Sequence, residues 1–147
     1  MNTENLLPKK PLILVIDDDV DILDLSVEIF QIKDYEVLTA ASGEEAFAVL
    51  DKVTKLDLIL LDLNMKGMGG AEFLLELEKK RPDILATVPV VFLTGMNKVP
   101  VGKVVGLIRK PFTLDQILNA ADKFMGMGVS EETQLRDTGS SSVNTAP

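Results

Sequence analysis

Short apolar runs alternate with amphipathic segments along the chain, and this alternation predicts a parallel β-sheet covered by helices. The apolar runs are nearly continuous, as in Leu-Ile-Leu-Val-Ile and Leu-Ile-Leu-Leu, which is typical of strands buried on both faces. We predict strands over residues 12–16, 36–40, 56–61, 88–93 and 106–108. The order of strands and helices predicts an α/β domain built as (βα)5.

Four apolar series with helical spacing mark the helices between and after these strands. A break at Arg81-Pro82 ends the third helix, because the residue before a proline is disfavoured in the α region. The four series are Ile22, Leu25, Ile29 and Ile32; Ala46, Val49, Leu50 and Val53; Phe73, Leu74 and Leu77; and Ile117, Leu118, Ala121 and Phe124. The segment between the fourth and fifth strands has only a weak pattern, so the helix there is predicted to be short or missing.

Two capping boxes predict where the second and last helices begin. Ser42 is followed three residues later by Glu45, and Thr113 is followed by Gln116, so each pair can exchange side-chain and backbone hydrogen bonds. The apolar period stops after Met125, and the remaining residues are rich in Gly, Ser and Thr. We therefore expect an N-terminal arm over residues 1–10, one domain over 11–125 and a flexible tail over 126–147.

Composition narrows the chemistry and the partners. The 147 residues include 15 Lys and Arg against 23 Asp and Glu, for a net charge of -8, so the basic footprint of a nucleic-acid-binding protein is missing. Cysteine and histidine are both absent, which excludes disulfides, Cys/His zinc sites and histidine bases. Any metal must be held by oxygen atoms. No apolar run is long enough for a membrane span, and the first ten residues lack the apolar centre of a secretory signal, so we expect a cytoplasmic protein.

Polar residues follow the predicted strands, where the ligand sites of parallel α/β sheets lie. An aspartate such as Asp19 or Asp21 has a simple alternative role as a helix N-cap. A cluster of carboxylates is different, because neighbouring carboxylates repel unless they are protonated or hold a cation. With oxygen ligands only, Mg2+ is the expected ion, with a lysine and a hydroxyl beside it for a phosphate group. The residues in question are Asp17, Asp18 and Asp19 after the first strand, Asp62 after the third, Thr94 after the fourth and Lys110 after the fifth.

These motifs, in this order, resemble a response-regulator receiver domain of two-component signalling, similar to a chemotaxis regulator. The resemblance extends over residues 11–125 and implies a flavodoxin-like three-layer sandwich with a parallel sheet in the order 2-1-3-4-5. It rests on Leu-Val-Ile-Asp17-Asp18, Asp57-Leu-Ile-Leu-Leu-Asp62-Leu-Asn64-Met, Val-Phe-Leu-Thr94-Gly95 and Lys110-Pro111-Phe112.

The resemblance also implies roles for single residues. Asp62 would accept a phosphoryl group from a sensor histidine kinase or a histidine phosphotransfer protein. Asp17, Asp18, Asp62 and the backbone carbonyl of Asn64 would hold Mg2+. Lys110 would pair with the phosphoryl group and Thr94 would move to hydrogen-bond it, which passes the signal to a downstream protein target. The Lys110-Pro111 bond is often cis in the family. The chain would be a signalling switch and not an enzyme, catalysing only its own phosphorylation and slow dephosphorylation.

Three departures from the family pattern are visible. Lys66 stands where the loop after the phosphoacceptor usually has a proline. Leu107 stands where the family commonly has a Tyr or Phe that rotates inward as Thr94 moves, so that readout is not expected here. Only 15 residues separate Thr94 from Lys110, fewer than in the family, which puts the usual dimerisation and output face in doubt.

Two alternative interpretations stay open at this point, and two others fail. A haloacid-dehalogenase-type phosphatase would use Asp17 as its nucleophile, but its signature ends in Thr or Val where this chain has Asp21, and it leaves Asp62 without a role. A degenerate receiver would bind proteins without being phosphorylated. An EF-hand loop over Asp17 to Glu28 fails because Ile22 replaces the glycine of the sharp turn. A flavodoxin-type phosphate site fails because three aspartates would repel the phosphate unless a metal ion lay between them.

Overall fold

The computed structural model describes residues 10–95 and 106–130. Five parallel strands form one sheet in the order β2-β1-β3-β4-β5, which confirms the flavodoxin-like order. The strands are β1 (Leu12–Ile16), β2 (Glu36–Ala40), β3 (Leu58–Asp62), β4 (Val90–Thr94) and β5 (Gly106–Arg109). Every residue of β3 and β4 is buried, as their unbroken apolar sequences predict.

Helices cover both faces of the sheet, giving the predicted three layers. The helices are α1 (Val20–Ile32), α2 (Gly43–Leu50), α3 (Gly70–Lys80), α4 (Pro82–Thr87) and α5 (Leu114–Ser130). One core cluster joins alternate strand residues such as Leu14 to α2, α3 and α4. The other joins the intervening residues, such as Val15, to α1 and α5. Within the two described ranges, no helix is long and apolar enough to cross a membrane.

The strand limits agree with the sequence for β1 and β2 and shift for the other three. Strands β3 and β4 each begin two residues later than predicted, and β5 ends one residue later. Val88, predicted as strand, is the C-cap of α4, and its N–H donates to the carbonyl of Ile84 at 2.8 Å. Its apolar side chain is buried although it lies outside the strand. The predicted strand was therefore too long, because it was based on apolar character alone.

The buried face of α1 differs from the series that marked it in the sequence. Leu23, Ser26 and Phe30 are buried with Ile29, whereas Leu25 is 42% and Ile32 is 66% exposed. Apolar residues occur on several sides of this helix, and two series fit helical spacing. The helix turns to the face that buries Phe30, whose large ring gains most from leaving water.

The Arg81-Pro82 break ends α3 at Lys80 as predicted, and Pro82 then begins the short helix α4. The sequence interpretation missed α4, although proline is well suited to the first position of a helix. Both predicted N-cap bonds are present: Ser42 Oγ accepts from the Glu45 N–H at 3.1 Å, and Thr113 Oγ1 accepts from the Gln116 N–H at 3.1 Å. The return bond runs from the Thr113 N–H to Gln116 at 2.8 Å, whereas the Glu45 side chain accepts from the Ala41 N–H and not from Ser42.

Predictions for the chain ends and for one loop fall largely on residues that are not described. Helix α5 runs to Ser130, five residues beyond the predicted end of the domain at Met125. The predicted N-terminal arm lies outside the described residues except for Lys10, and the tail does so from residue 131 onward. The predicted short or missing helix between β4 and β5 falls on residues 96–105, which also lie outside them.

A polar cluster joins the end of α1 to α5. The Tyr35 hydroxyl donates to Asp122 Oδ1, and Lys33 Nζ donates to Asp122 Oδ2 at 2.9 Å. Burial of the phenol, together with the hydrogen bond to Asp122 and the charge of that carboxylate, raises the pKa of Tyr35 to about 12. The phenol therefore keeps its proton to a higher pH in the folded protein than in the unfolded chain.

Tyr35 is the only tyrosine and the chain has no tryptophan, so its ionisation can be followed directly by ultraviolet absorbance. We expect a pKa of about 12 in the folded protein and a lower value, toward the usual one near 10, in Asp122→Ala. Because the folded pKa is raised, this group's contribution to stability is fully present below pH 10 and is lost between about pH 10 and 12. Asp115→Ala on the same helix is the control and should leave the titration unchanged. A pKa near 10 in the folded wild type would contradict the expected effect of Asp122.

Candidate functional site

The polar residues singled out in the sequence meet at the carboxyl ends of the strands. Asp17 directly follows β1, Asp62 ends β3, Thr94 ends β4 and Lys110 directly follows β5. The sheet register aligns these ends, and the Lys110 N–H donates to the Thr94 carbonyl at 2.8 Å. Four separate segments of the chain thus supply one site, as expected for a parallel α/β sheet.

Asp17, Asp18 and Asp62 form a carboxylate cluster in which one oxygen of each side chain lies within 4.8 Å of the others. Asp17 is fully buried, Asp62 is 4% exposed, and Asp18 is more exposed than either. At an effective dielectric near 20, two carboxylates about 4 Å apart repel by roughly 4 kcal/mol. The folded protein must therefore hold positive charge here or protonate part of the cluster.

Lys110 supplies one positive charge to this cluster. Its Nζ lies 2.7 Å from Asp17 Oδ2 and 3.4 Å from Asp62 Oδ1, with 23% of the side chain exposed. Burial by itself would lower the pKa of Lys110, but the hydrogen bond to Asp17 and the charges of Asp17 and Asp62 raise it overall. Burial raises the pKa of Asp17, with a further rise from the charge of Asp62, and Lys110 opposes this only in part. One ammonium group does not balance the charge of three carboxylates, so a second cation would be bound favourably here.

Each carboxylate of the cluster also accepts a hydrogen bond from a backbone amide. Asp17 Oδ1 accepts from the Asp19 N–H at 2.9 Å, and Asp62 Oδ1 accepts from the Asn64 N–H at 3.3 Å. Asp18 Oδ2 accepts from the Lys66 N–H at 3.0 Å. Asp19 is itself the N-cap of α1, as its alternative role in the sequence suggested, and it accepts from the Asp21 N–H at 3.0 Å.

Gly70, the first residue of α3, packs directly against the end of β3. A Cβ atom on Gly70 would lie 2.6 Å from the Asp62 carbonyl oxygen and 2.8 Å from the Leu63 Cα. Both neighbours are backbone atoms, so a side chain could not be accommodated without moving β3 or α3. Because Gly70 has no side chain, α3 can pack closely on the end of β3. This close packing sets the path of the loop between them, which carries Asn64 and Lys66.

The other residues that the sequence singled out lie on or next to β4 and β5. Thr94 is fully buried at the end of β4. The Lys110-Pro111 peptide bond is cis, as the resemblance implied. Leu107 pairs with Phe92 across β4 and β5 and packs, partly buried, against the core cluster that contains α2 and α3. The position of the usual aromatic residue is therefore part of the core packing here.

Two features of the site were missed in the sequence. The amide of Lys66 could have been noticed, because a residue other than proline at this position restores a backbone N–H. The contact of Gly70 with β3 had no clear local signal, because it joins two elements whose relative position depends on the whole fold. The structure also rules out the EF-hand interpretation, since β1 and not a helix precedes Asp17.

The ligand set suits a hard divalent cation. Asp17, Asp18 and Asp62 offer carboxylate oxygens only, which matches the preference of Mg2+ for oxygen ligands. The cluster also keeps excess negative charge beside Lys110, so a cation there relieves repulsion. The residues present therefore fit Mg2+.

Comparisons with known proteins agree with this geometry. The family described as the response regulator receiver domain matches residues 13–122. Sporulation initiation phosphotransferase F of Bacillus subtilis is 31% identical over 119 residues, which cover 77% of this chain and 92% of that protein. Response regulator SaeR of Staphylococcus aureus is 32% identical over 86 residues, which cover 58% of this chain and 35% of SaeR. Only about a third of SaeR is therefore matched.

The solved structures show the same similarity. Chemotaxis protein CheY4 of Vibrio cholerae superposes with a TM-score of 0.70 at 28% identity, covering 79% of this chain and 99% of CheY4. Response regulators of this kind receive phosphoryl groups from histidine kinases or phosphotransfer proteins, and their receiver domains act as signalling switches. The family match covers most of the chain and includes every residue of the rim. The chain therefore belongs to the response regulator receiver domain family and is a phospho-accepting signalling domain.

Proposed function

We propose that Asp62 is the residue that accepts the phosphoryl group. The observation that carries this proposal is the position of Asp62 at the end of β3, nearly buried, with two other carboxylates and the Lys110 ammonium around it. Apolar residues precede it throughout β3, so a charged side chain there has no packing role. Its hydrogen bond from the Asn64 amide orients one carboxylate oxygen.

In the proposed reaction, a carboxylate oxygen of Asp62 attacks the phosphorus atom of a phosphohistidine on the donor protein. An O–P bond forms, and the P–N bond to the imidazole breaks with its electron pair going to the nitrogen. The product on this chain is an acyl phosphate, and the donor regains its histidine after taking up a proton. Little covalent chemistry is required of the surrounding residues, which act by position and charge.

Asp17, Asp18, Asp62 and the backbone carbonyl of Asn64 would hold Mg2+ in this reaction. The bound ion supplies positive charge that offsets the charge of the phosphoryl oxygens. The carboxylate cluster supports this assignment for its three side chains. Both oxygens of Asp17 accept hydrogen bonds, one from the Asp19 amide and one from Lys110, so the orientation of its carboxylate is set before the ion binds.

Lys110 and Thr94 would respond to the added group. A phosphoryl group on Asp62 adds about -1.5 to -2 charges, which Lys110 can pair with because it already reaches the Asp62 carboxylate. Thr94 has a hydroxyl that can donate to a phosphoryl oxygen, and its movement toward the site would begin the conformational signal. Leu107 would take part in the readout by repacking, and not by rotation of an aromatic ring.

The donor in this proposal is a sensor histidine kinase or a histidine phosphotransfer protein, and we place the exchange in the cytoplasm. The signal passes to a downstream protein target. To act as a switch, phosphorylation has to bias two states by about 1 to 3 kcal/mol. Apart from its own phosphorylation and slow dephosphorylation, the chain is proposed to catalyse no reaction.

Intact-mass measurement after incubation with a small phosphodonor and Mg2+ tests the proposal. We expect the wild type to gain the mass of one phosphoryl group, and Asp62→Asn to gain none under the same conditions. Asp57→Asn is the control, because Asp57 lies at the opposite end of β3 and its carboxylate accepts from the Leu12 amide. An unmodified wild type, with small donors and with a phosphorylated donor protein alike, would favour the degenerate receiver instead.

A further inference from the structure

The hydrogen bond between Lys66 and Asp18 crosses the site between two loops. The Lys66 N–H donates to Asp18 Oδ2 at 3.0 Å, across 48 residues of sequence. The bonds that orient Asp17 and Asp62 come from amides only two residues away. Lys66 occupies the position where the family usually has proline, which has no N–H to donate. This chain therefore has a donor to the carboxylate cluster that the usual sequence lacks.

Asp18 depends on this bond more than its neighbours depend on theirs. Asp17 and Asp62 are buried, and both also contact Lys110. Asp18 is more exposed, and among the described residues the Lys66 amide is the one hydrogen-bond donor to its carboxylate. An exposed aspartate without a partner samples several rotamers, and fixing one of them costs conformational entropy when a cation binds.

The loop that carries Lys66 is held on both sides. Met65 before it is 7% exposed and belongs to the core cluster, and Gly70 after it contacts the end of β3. Between them, Gly67 adopts a φ of 72°, a left-handed conformation that glycine adopts easily. Met68 packs over Gly43 at the start of α2, where a Cβ atom would lie 2.6 Å from its sulfur. The Lys66 amide is thus presented to Asp18 by a loop anchored to the core.

We propose that the backbone amide of Lys66 is a positioning group that holds the Asp18 carboxylate toward the Mg2+ site and raises the affinity of this chain for the ion. The inference rests on the proposed function, because the site concerned is the carboxylate cluster of that proposal. The amide engages Oδ2 and leaves Oδ1 for the cation. The Lys66 ammonium has no part in this role, so the side chain is expendable while the N–H is not.

Calorimetric titration of Mg2+ into the wild type, Lys66→Ala and Lys66→Pro separates the amide from the side chain. Lys66→Ala keeps the N–H and should bind Mg2+ within about twofold of the wild type. Lys66→Pro removes it and should bind about tenfold more weakly, as is found when a group that orients a metal ligand is lost. Urea unfolding without Mg2+ is measured alongside, because a purely structural role would lower stability and leave the Mg2+ affinity of the folded protein unchanged.

Equal Mg2+ affinities in folded Lys66→Ala and Lys66→Pro would overturn the positioning role, while Mg2+ binding by the wild type would leave the proposed function standing. A wild type that binds no Mg2+ would overturn both. If Lys66→Pro does not fold, hydrogen exchange decides: the amide of residue 66 should exchange slowly in Lys66→Ala and at least tenfold faster after a further Asp18→Ala change. No difference between these two proteins would also overturn the role.

Discussion

Replacing Lys110 with Met is expected to lower the free energy of unfolding by about 3 kcal/mol at pH 7 without divalent cations, the lower end of the range for breaking a buried ion pair. Lys110 is the positive partner of fully buried Asp17 and contacts Asp62 as well. The lower end of the range applies because part of the lysine remains exposed. Without it, buried Asp17 loses its charged partner, and the three carboxylates face each other with no ammonium group beside them.

Urea denaturation followed by circular dichroism measures this loss, and a second change tests its cause. Asp17→Asn in the Lys110→Met background should recover much of the stability, because it removes the buried charge that lost its partner. Lys55→Met is the matched control: the exposed Lys55 lies 3.6 Å from the half-buried Asp57, and a pair with one exposed partner is worth at most about 1 kcal/mol. Equal losses in Lys110→Met and Lys55→Met would contradict the role assigned to the buried pair.

Replacing Gly70 with Ala is expected to cost about 2 to 3 kcal/mol of stability, although alanine is the better helix former. The new methyl group would lie 2.6 Å from the Asp62 carbonyl oxygen, so α3 has to move away from the end of β3. That movement also displaces the loop that carries Asn64 and Lys66. We therefore expect phosphorylation by a small donor to slow at least tenfold in the protein that remains folded.

Gly69→Ala is the control for this change. A Cβ atom on Gly69 would lie 3.5 Å from the Leu63 carbonyl oxygen, an ordinary contact. Its cost is expected to stay below about 1 kcal/mol, from the weaker N-cap, with little change in phosphorylation rate. If Gly70→Ala is as stable and as quickly phosphorylated as Gly69→Ala, the close packing of α3 on β3 is not what orders the site.

The sequence predicted the parts of the site that follow from strand ends. Asp17, Asp62, Thr94 and Lys110 were found because each comes at the end of an apolar run, and parallel strands bring such ends to one rim. The contacts of Lys66 and Gly70 depend on the path of a loop relative to its neighbours, for which residue pattern carries little information. The buried side of α1 was ambiguous for a different reason, because Leu25 and Phe30 fit different apolar series of similar spacing.

Leu107 marks the clearest difference from the usual receiver sequence. It lies on β5, partly buried against the core cluster of α2 and α3. Leucine has no aromatic ring that could rotate between an exposed and a buried position. In the proposed switch, a movement of Thr94 on the neighbouring strand would reach Leu107 through the pairing of β4 and β5. In the proposed switch, Leu107 and its neighbours would change between two packing arrangements, because a close-packed interior does not deform continuously.

Chemical trapping of the acyl phosphate tests the claim that Asp62 carries the phosphoryl group. Borohydride reduces an aspartyl phosphate to homoserine, which marks the modified residue permanently for peptide mapping by mass spectrometry. We predict homoserine at position 62 in the phosphorylated wild type, and at no other aspartate. Homoserine at position 17, as a haloacid-dehalogenase-type phosphatase would give, or an unmodified residue 62 in a protein that has gained a phosphoryl group, would contradict the claim.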